Sequence, residues 1–564
     1  MGIPSYFVHI VKNHRNVIKI FKKNDIKIDN LYLDSNSIIY DELRTIVYKN
    51  DESFEKKLIN QVCEKVLYYI KLINPLQRVL VAFDGVAPVA KLEQQRNRRY
   101  KTSYVNNYIM NDVKDSNVIK PIGWDTTAIT PGTAFMSLLY KEITEYFSKN
   151  AKSIGINLGL EPNLQIMISG SNDCGEGEHK IYSYIRDNRR YHYDTNTVIY
   201  GLDADLIMLT LIHTKISENL YLFRETPHFI TSIDKNLVPE AHYVLDIYEL
   251  GEKLNLEMSY CKDMKDIKDI KNKDIKNKDI KNKDIKNKPI KDCIYDYIFL
   301  CFFLGNDFMP HFPALNIRTN GISILIETYN NLFGNTDLVL IDNNKIHWKN
   351  LRRFVEELAK CETLYLAEEM KTRERHERNT KNKRFATAEE RLMAIPLLDR
   401  TVERYINIGE DGWQERYYQE LFGIEINDER KKQICLNYLE GLEWNFKYYT
   451  KDCPDWKWKY NYKYPPLLED LCRFIPYFDT EFIQVKQRNP VQPLVQLAYV
   501  LPRNSLNLLP NKIGDRLLNA HPEWYKLDYD ILWAYCKYFW ESHIVLPHIK
   551  IEELERIIAD KELK

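Results

Sequence analysis

From residue 31 to about residue 330, short apolar runs rich in β-branched or aromatic residues recur, each followed by an acidic residue and then by a longer stretch of helical character. The runs are residues 31–33, 79–83, 164–168, 198–200 and 297–304. Short, mostly apolar strands that alternate with amphipathic segments predict an α/β domain with a mainly parallel sheet, because helices bury both faces of such a sheet. Thr130-Pro131 predicts a helix start, with Thr as cap and Pro in the first turn. The apolar stripe Phe135, Leu138, Leu139, Ile143 and Tyr146 follows it.

Residues 262–292 break this pattern with four tandem copies of Asp-Ile-Lys-Asn-Lys that start at Asp269. A five-residue period matches neither the 3.6 of a helix nor the 2 of a strand, so the segment reads as a solvated, flexible insertion. A charged stretch at 371–384 separates the α/β region from a later one rich in Trp and Tyr. The expected organisation is an α/β domain over 1–345, a charged helical connector over 346–390, and a mostly helical, aromatic-rich region over 391–564.

Composition narrows the function classes. With 564 residues, 44% apolar, the chain can bury a large core. No run approaches the roughly 20 consecutive apolar residues of a membrane span, and His and Lys interrupt the first 15 residues where a signal peptide needs an apolar stretch. The expectation is a soluble, intracellular protein, cytoplasmic rather than nuclear, and a monomer. Tyr6 stands where a myristoylation signal has Ser or Thr. Ten cysteines lie scattered without zinc-ligand spacing, and Cys301 falls within an apolar run, so the thiols read as reduced and mostly buried. Lys plus Arg equals Asp plus Glu at 80 each, which argues against coating nucleic acid by bulk positive charge. Any nucleic-acid site has to come from local segregation of charge.

That segregation is visible. Asp34, Asp84, Glu176, Glu178, Asp203, Asp205 and Asp307 stand at or near the ends of the apolar runs. In an open parallel sheet the carboxyl ends of the strands share one edge, where ligands bind. Carboxylates crowded there raise one another's pKa unless cations neutralise them, and an all-oxygen set selects hard ions such as magnesium or manganese. The pairs Glu176/Glu178 and Asp203/Asp205 suit two ions roughly 4 Å apart, the arrangement of two-metal phosphodiester hydrolysis. Just after Asp84, Lys91, Gln95 and Arg98 recur at helical spacing with Arg99 beside them. They form one cationic face that can grip a terminal phosphate, arginine doing so bidentately.

The segments MGIPSYF, LYLDSNSIIY, VAFDGVAPVAKLEQQRNRR, ITPGTAFM, GEGEHKIYSYIR, YGLDADLIML and CFFLGNDFMPHFPAL resemble, in order, the first characteristic region of the XRN family of 5′→3′ exoribonucleases. YLEGLEWNFKYYTKDCPDWKWKYNYKYPP and LVQLAYVLPRNSLNLLP resemble its second. The resemblance covers nearly the whole chain apart from the repeat and the charged connector. It implies a PIN-like nuclease core wrapped by a largely helical second region, with two magnesium ions, replaceable by manganese, on the seven carboxylates. It also implies a 5′-monophosphate on Lys91, Gln95, Arg98 and Arg99, single-stranded RNA as substrate, and processive release of mononucleotides. Where the family has Asn-Gly-Ile-Ile-His after the first Asp, this chain has Asn36-Ser37-Ile38-Ile39-Tyr40. Tyr40 replaces a histidine that stacks on a terminal base, and a tyrosine can also stack. The partner aromatic is Trp456 or Trp458. The rival readings are a structure-specific 5′ DNA nuclease of the flap-endonuclease kind and an inactive RNA-binding scaffold. The contiguous basic face speaks against the first and the intact acidic set against the second.

Overall fold

A computed structural model of the protein describes residues 3, 5–23, 25–47, 53–114, 123–153, 163–225, 231–239, 241–259, 291–484, 489–510 and 512–559, with backbone alone at 109–114 and 149–153. The five-residue repeat lies outside the described residues.

The central sheet contains β1 (Ile18–Ile20), β2 (Asn30–Asp34), β3 (Arg78–Ala82), β4 (Gln165–Ser169), β5 (Thr197–Tyr200), β6 (Leu220–Glu225) and β7 (His242–Asp246). Their order is β1-β7-β6-β5-β2-β3-β4. Strands β4, β3, β2, β5 and β6 are parallel in register, while β7 and β1 add an antiparallel edge. Leu31, Tyr32 and Leu33 are all fully buried, as expected for a strand covered on both faces.

Four of the five apolar runs form strands. The fifth does not: residues 297–304 belong to the helix Ile294–Cys301 and the 3-10 turn Phe302–Leu304, and all eight are buried. A short run that is apolar on every side cannot be told from a strand by periodicity alone. Thr130-Pro131 likewise does not open its helix directly. Gly132 has φ +94°, outside helical geometry, so the helix is Ala134–Ser153, with Phe135, Leu139 and Ile143 buried against β3 and its neighbours.

One hydrophobic core runs from the sheet through Phe299 and Phe303 to Leu351, Leu358, Tyr438 and Trp444, so it crosses the 345/346 position without a break. Most of the charged stretch, residues 371–381, is helical. It belongs to the helix Glu362–Lys381, in which Glu362, Glu369, Arg373 and Glu377 are buried. The helix Asp428–Thr450 starts on an Asn427 cap that accepts from the Arg430 N–H at 2.9 Å. Its last turn reaches the carboxyl edge of the sheet.

Candidate active site

Asp34 ends β2, Asp84 follows β3 by two residues, and Asp203 follows β5 by three. Because β2 lies between β3 and β5 and all three run parallel, these carboxylates emerge along one edge, at the point where the strand order reverses. Glu176 occupies the position just before the helix Gly177–Asp187 and Glu178 lies in its first turn. Asp205 opens the helix Asp205–His213, and Asp307 enters on the loop after Leu304.

The local sequence explains the close approach. A Cβ on Gly177 would stand 2.6 Å from Asp34 Oδ1 and 3.1 Å from the Ala82 carbonyl, so only glycine lets this helix start against β2 and β3. The freed Gly177 N–H donates to Asp84 Oδ1 at 2.7 Å. Asn36 donates to Asp84 Oδ2 at 2.5 Å and accepts from the Asp84 N–H at 3.1 Å, which fixes that carboxylate on both sides. The Tyr448 hydroxyl donates to Glu176 Oε1 at 3.0 Å and the Tyr449 hydroxyl to Asp205 Oδ1 at 2.9 Å. The second region therefore completes the site rather than merely covering it.

Lys91 is the cation at the centre of this group. Its ammonium pairs with Glu176 and, at 2.7 Å, with Asp307, which also accepts from Gln94 at 3.3 Å. Burial disfavours the charged lysine, but Asp307, Glu176 and Glu178 hold its pKa well above the ordinary value. Burial likewise works against ionised Asp307, and Lys91 overcomes it, keeping that carboxyl strongly acidic. One lysine does not balance the rest. Burial and then repulsion from Asp84, Asp203 and Glu176 push Asp34 well above the usual carboxylate range. Glu178 is raised by burial and by Asp205. Glu176 is raised by burial in spite of Lys91, and Asp205 is pushed to about 7 by burial and by the charge of Asp307.

The donor set fits a hard cation. Glu178 Oε2 is buried and has no hydrogen-bond partner among the described residues. Glu176, Glu178 and His179 each present a ligand atom, all within 4.8 Å of one another, a grouping that could hold a metal ion. His179 is kept neutral by burial and lies 3.8 Å, centroid to centroid, from the Tyr448 ring. A neutral imidazole and carboxylates are the protonation states that metal binding requires.

Asp34, Asp84, Glu176, Glu178, Asp203 and Asp307 line one cavity of about 1090 Å³, and Gln95, Arg98, Arg99 and Tyr40 line it too. Of the four residues expected to hold a phosphate, Lys91 instead has its ammonium committed to the carboxylates. The other three remain available to the cavity. Arg99 donates to Thr130 Oγ1 at 2.5 Å and to Gln95 Oε1 at 3.4 Å, and burial lowers its pKa to about 10, so an anion beside it would restore what desolvation removes. Arg98 is exposed to the cavity. Neither Trp456 nor Trp458 lines that cavity. Trp458 packs in the core, stacked on Trp444 at 5.2 Å, because the long helix presents Gly441 beneath it; a Cβ there would lie 3.0 Å from the Trp458 ring. Trp456 is half-buried, and its carbonyl accepts from the Val89 N–H at the start of the helix Val89–Lys114.

Sequence reasoning missed Asn36, His179, Tyr448 and Tyr449. His179 stands beside the two glutamates and was findable as a third ligand; the tyrosines are two among 39 and carried no signal.

Comparison with known proteins agrees with this geometry. Residues 1–226 match the family model described as the XRN 5′-3′ exonuclease N-terminus, and residues 287–403 and 397–562 match that of the Xrn1 helical domain. The chain is 27% identical to 5′-3′ exoribonuclease 2 of Arabidopsis thaliana, covering 96% of this chain and 63% of that protein. It is 25% identical to 5′-3′ exoribonuclease 1 of Schizosaccharomyces pombe, covering 100% and 49%, and 26% identical to 5′-3′ exoribonuclease 1 of Saccharomyces cerevisiae, covering 90% and 40%. The chain thus spans about half the length of the curated relatives it matches. Among the described residues no helix is long and apolar enough to cross a membrane. With both family models matched in order over most of its length, the chain belongs to the XRN 5′-3′ exonuclease family.

Proposed function

We propose that the chain is a 5′→3′ exoribonuclease that degrades single-stranded RNA bearing a 5′-monophosphate, processively and one nucleotide at a time. The observation that carries this reading is the single cavity with carboxylates on one side and Gln95, Arg98 and Arg99 on the other. The names of its relatives support the same activity.

Arg98 and Arg99 grip the terminal phosphate as charge-assisted donors, with Gln95 orienting Arg99. That grip places the bond between the first and second nucleotides at the sheet edge. Magnesium ions held by Asp34, Asp84, Glu176, Glu178, Asp203, Asp205 and Asp307 would supply an activated water and stabilise the leaving oxygen. Lys91, fixed by Glu176 and Asp307, stands between the two halves of the site as a permanent positive charge. Tyr40 offers its ring to a base entering the cavity. Hydrolysis leaves a 3′-hydroxyl on the released mononucleotide and a phosphate on the shortened RNA, so each turnover regenerates the end that Arg98 and Arg99 recognise.

The test uses four 3′-labelled single strands of one sequence with magnesium: RNA with a 5′-monophosphate, 5′-triphosphate or 5′-hydroxyl, and DNA with a 5′-monophosphate. Monophosphorylated RNA should disappear fastest. Arg98→Ala should remove at least about tenfold of that preference, the scale of a lost hydrogen bond to a charged group. Equal decay of the hydroxyl and monophosphate RNAs would refute the phosphate pocket. Faster DNA cleavage with internal products would favour a flap-type DNA nuclease, and no cleavage of any strand with magnesium or manganese an RNA-binding scaffold.

A further inference from the structure

On the helix Val89–Lys114 every fourth residue from Lys91 lines the active-site cavity: Lys91, Gln95, Arg99, Ser103 and Asn107. They lay the site out along one axis. Lys91 is bonded to Glu176 and Asp307, at the carboxylates. Arg99, about 12 Å further along that axis, belongs to the phosphate grip and donates to Thr130 Oγ1. Asn107 lies beyond it by about 12 Å again and is exposed.

The cavity therefore reaches solvent on the far side of the phosphate grip. Its rim there is formed by Arg44, Asn107, Asp125, Thr126 and Asn504, all exposed, the Arg44 side chain by 78%. This rim is tied in place. One oxygen of Asp125 accepts from the Thr127 N–H at 2.9 Å and the other from the Ser505 hydroxyl at 3.0 Å, which fastens the α/β region to the second region. Just inside, Thr127 Oγ1 lines the cavity, buried and with no hydrogen-bond partner among the described residues. The carbonyl of Thr127 accepts from the Thr130 hydroxyl at 2.6 Å, the same hydroxyl that receives Arg99. The unpartnered hydroxyl thus stands between the phosphate grip and the rim.

With a 5′-phosphate on Arg98 and Arg99, the strand runs away from this rim and past the carboxylates, where Gln94 and Asp307 also line a second cavity. After a cut the shortened strand blocks that way out. The freed nucleotide lies between the strand and the rim, and its anionic phosphate is the end nearer the rim. Arg44 supplies a cation there, its guanidinium also bonding Asp41 at 3.0 Å. We propose that the rim is a product port: the released nucleoside 5′-monophosphate leaves phosphate first, past Thr127 and Arg44, while the strand stays in place. The port rests on the exoribonuclease reading for its ligand, and it accounts for processive advance, since product departs without the RNA letting go.

The test mixes the full-length chain, in excess and with magnesium, with single-stranded RNA carrying a radioactive 5′-phosphate and a 3′ fluorophore, and quenches the reaction over time. Release of the 5′ label reports the first cut, which needs no earlier product to depart. The ladder of 3′-labelled fragments reports every later step. Asn504→Trp, which fills the rim, should leave the first cut within about twofold of wild type and slow the later steps about tenfold or more, because release has become limiting. Arg44→Glu should slow the later steps alone, by roughly two- to fivefold, the scale of an exposed charge, and less so at high salt. Later steps at the wild-type rate in both variants would overturn the port. Equal slowing of the first cut and the later steps would overturn it too, by placing the rim on the path of entering RNA. Wild-type protein that releases no 5′-mononucleotide would instead remove the exoribonuclease reading, and the port with it.

Discussion

The carboxylates at the sheet edge and the charged network of the helical region are both buried, yet they handle charge in opposite ways. In the network Arg373 reaches Glu403 through two nitrogens, at 2.6 and 3.0 Å, and its remaining donors meet the carbonyls of Cys536 and Pro396. Arg400 reaches Glu403 at 2.6 Å and Glu377 at 3.2 Å. These two guanidinium groups and two carboxylates are residues only 2 to 4% exposed, and Glu377 is also reached by Arg404 and Lys381 from the surface. At the sheet edge Lys91 answers Glu176 and Asp307, burial and mutual repulsion still raise Asp34, Glu178 and Asp205, and Glu178 keeps a buried oxygen with no hydrogen-bond partner among the described residues. The network is complete within the chain and acts as structure. The edge is left with carboxylates raised by burial and repulsion and with a grouping that could hold a metal ion, the pattern of a site rather than a scaffold.

Breaking the network should give the largest effect. Arg373→Met leaves Glu403 half-answered in the interior and should cost about 3–5 kcal/mol in chemical denaturation. A cost below about 1 kcal/mol would remove the contrast between the two clusters.

The sheet edge should respond in the opposite direction. In a chelator, Glu178→Gln removes a buried, repelling charge and should raise stability, by about 1.4 kcal/mol for each unit by which its folded pKa exceeds the unfolded one. The pH dependence has a definite sign. A carboxyl whose folded pKa lies above its unfolded value keeps its proton in the folded state while the unfolded chain has lost it, so stability falls as pH rises through that interval. For Asp205 the interval runs from the ordinary 3.8 to about 7. Thermal melts in chelator should therefore fall from pH 4 to 7, and the fall should be shallower in Asp205→Asn. A flat profile in the wild type would show that the edge carboxylates do not repel as their burial implies.

The smallest effect concerns the link between the regions. Tyr449→Phe removes one hydrogen bond to Asp205 and should slow RNA hydrolysis roughly two- to tenfold while leaving the 5′-phosphate preference unchanged. A changed preference would place Tyr449 in substrate recognition instead.

The difference between the clusters also explains what was legible in the sequence. Each edge carboxylate follows a strand or opens a helix, so local patterning exposes Asp34, Asp84, Asp203 and Asp205, and the short spacing of Glu176 and Glu178 exposes that pair. The helix over 297–304 was misread because an all-apolar run lacks a period to read. The burial of Arg373 against Glu403 was not legible, since a sequence shows residue type but not burial. The Tyr448 and Tyr449 contacts join positions 272 and 244 residues apart in the chain, beyond any local signal. Lys91 shared a helical face with Gln95 and Arg98, and only the fold shows that the sheet edge claims its ammonium.

The central claim, that the edge is unbalanced until it holds divalent cations, is tested most directly by melting wild-type protein at pH 7 across a magnesium titration, with Asp205→Asn and Arg373→Met in parallel. Magnesium should stabilise the wild type and Arg373→Met alike, approaching about 2.7 kcal/mol at a hundredfold excess over Kd, and should stabilise Asp205→Asn far less. Wild-type melting that is the same in magnesium and in chelator, or an equal shift in Asp205→Asn, would contradict the account.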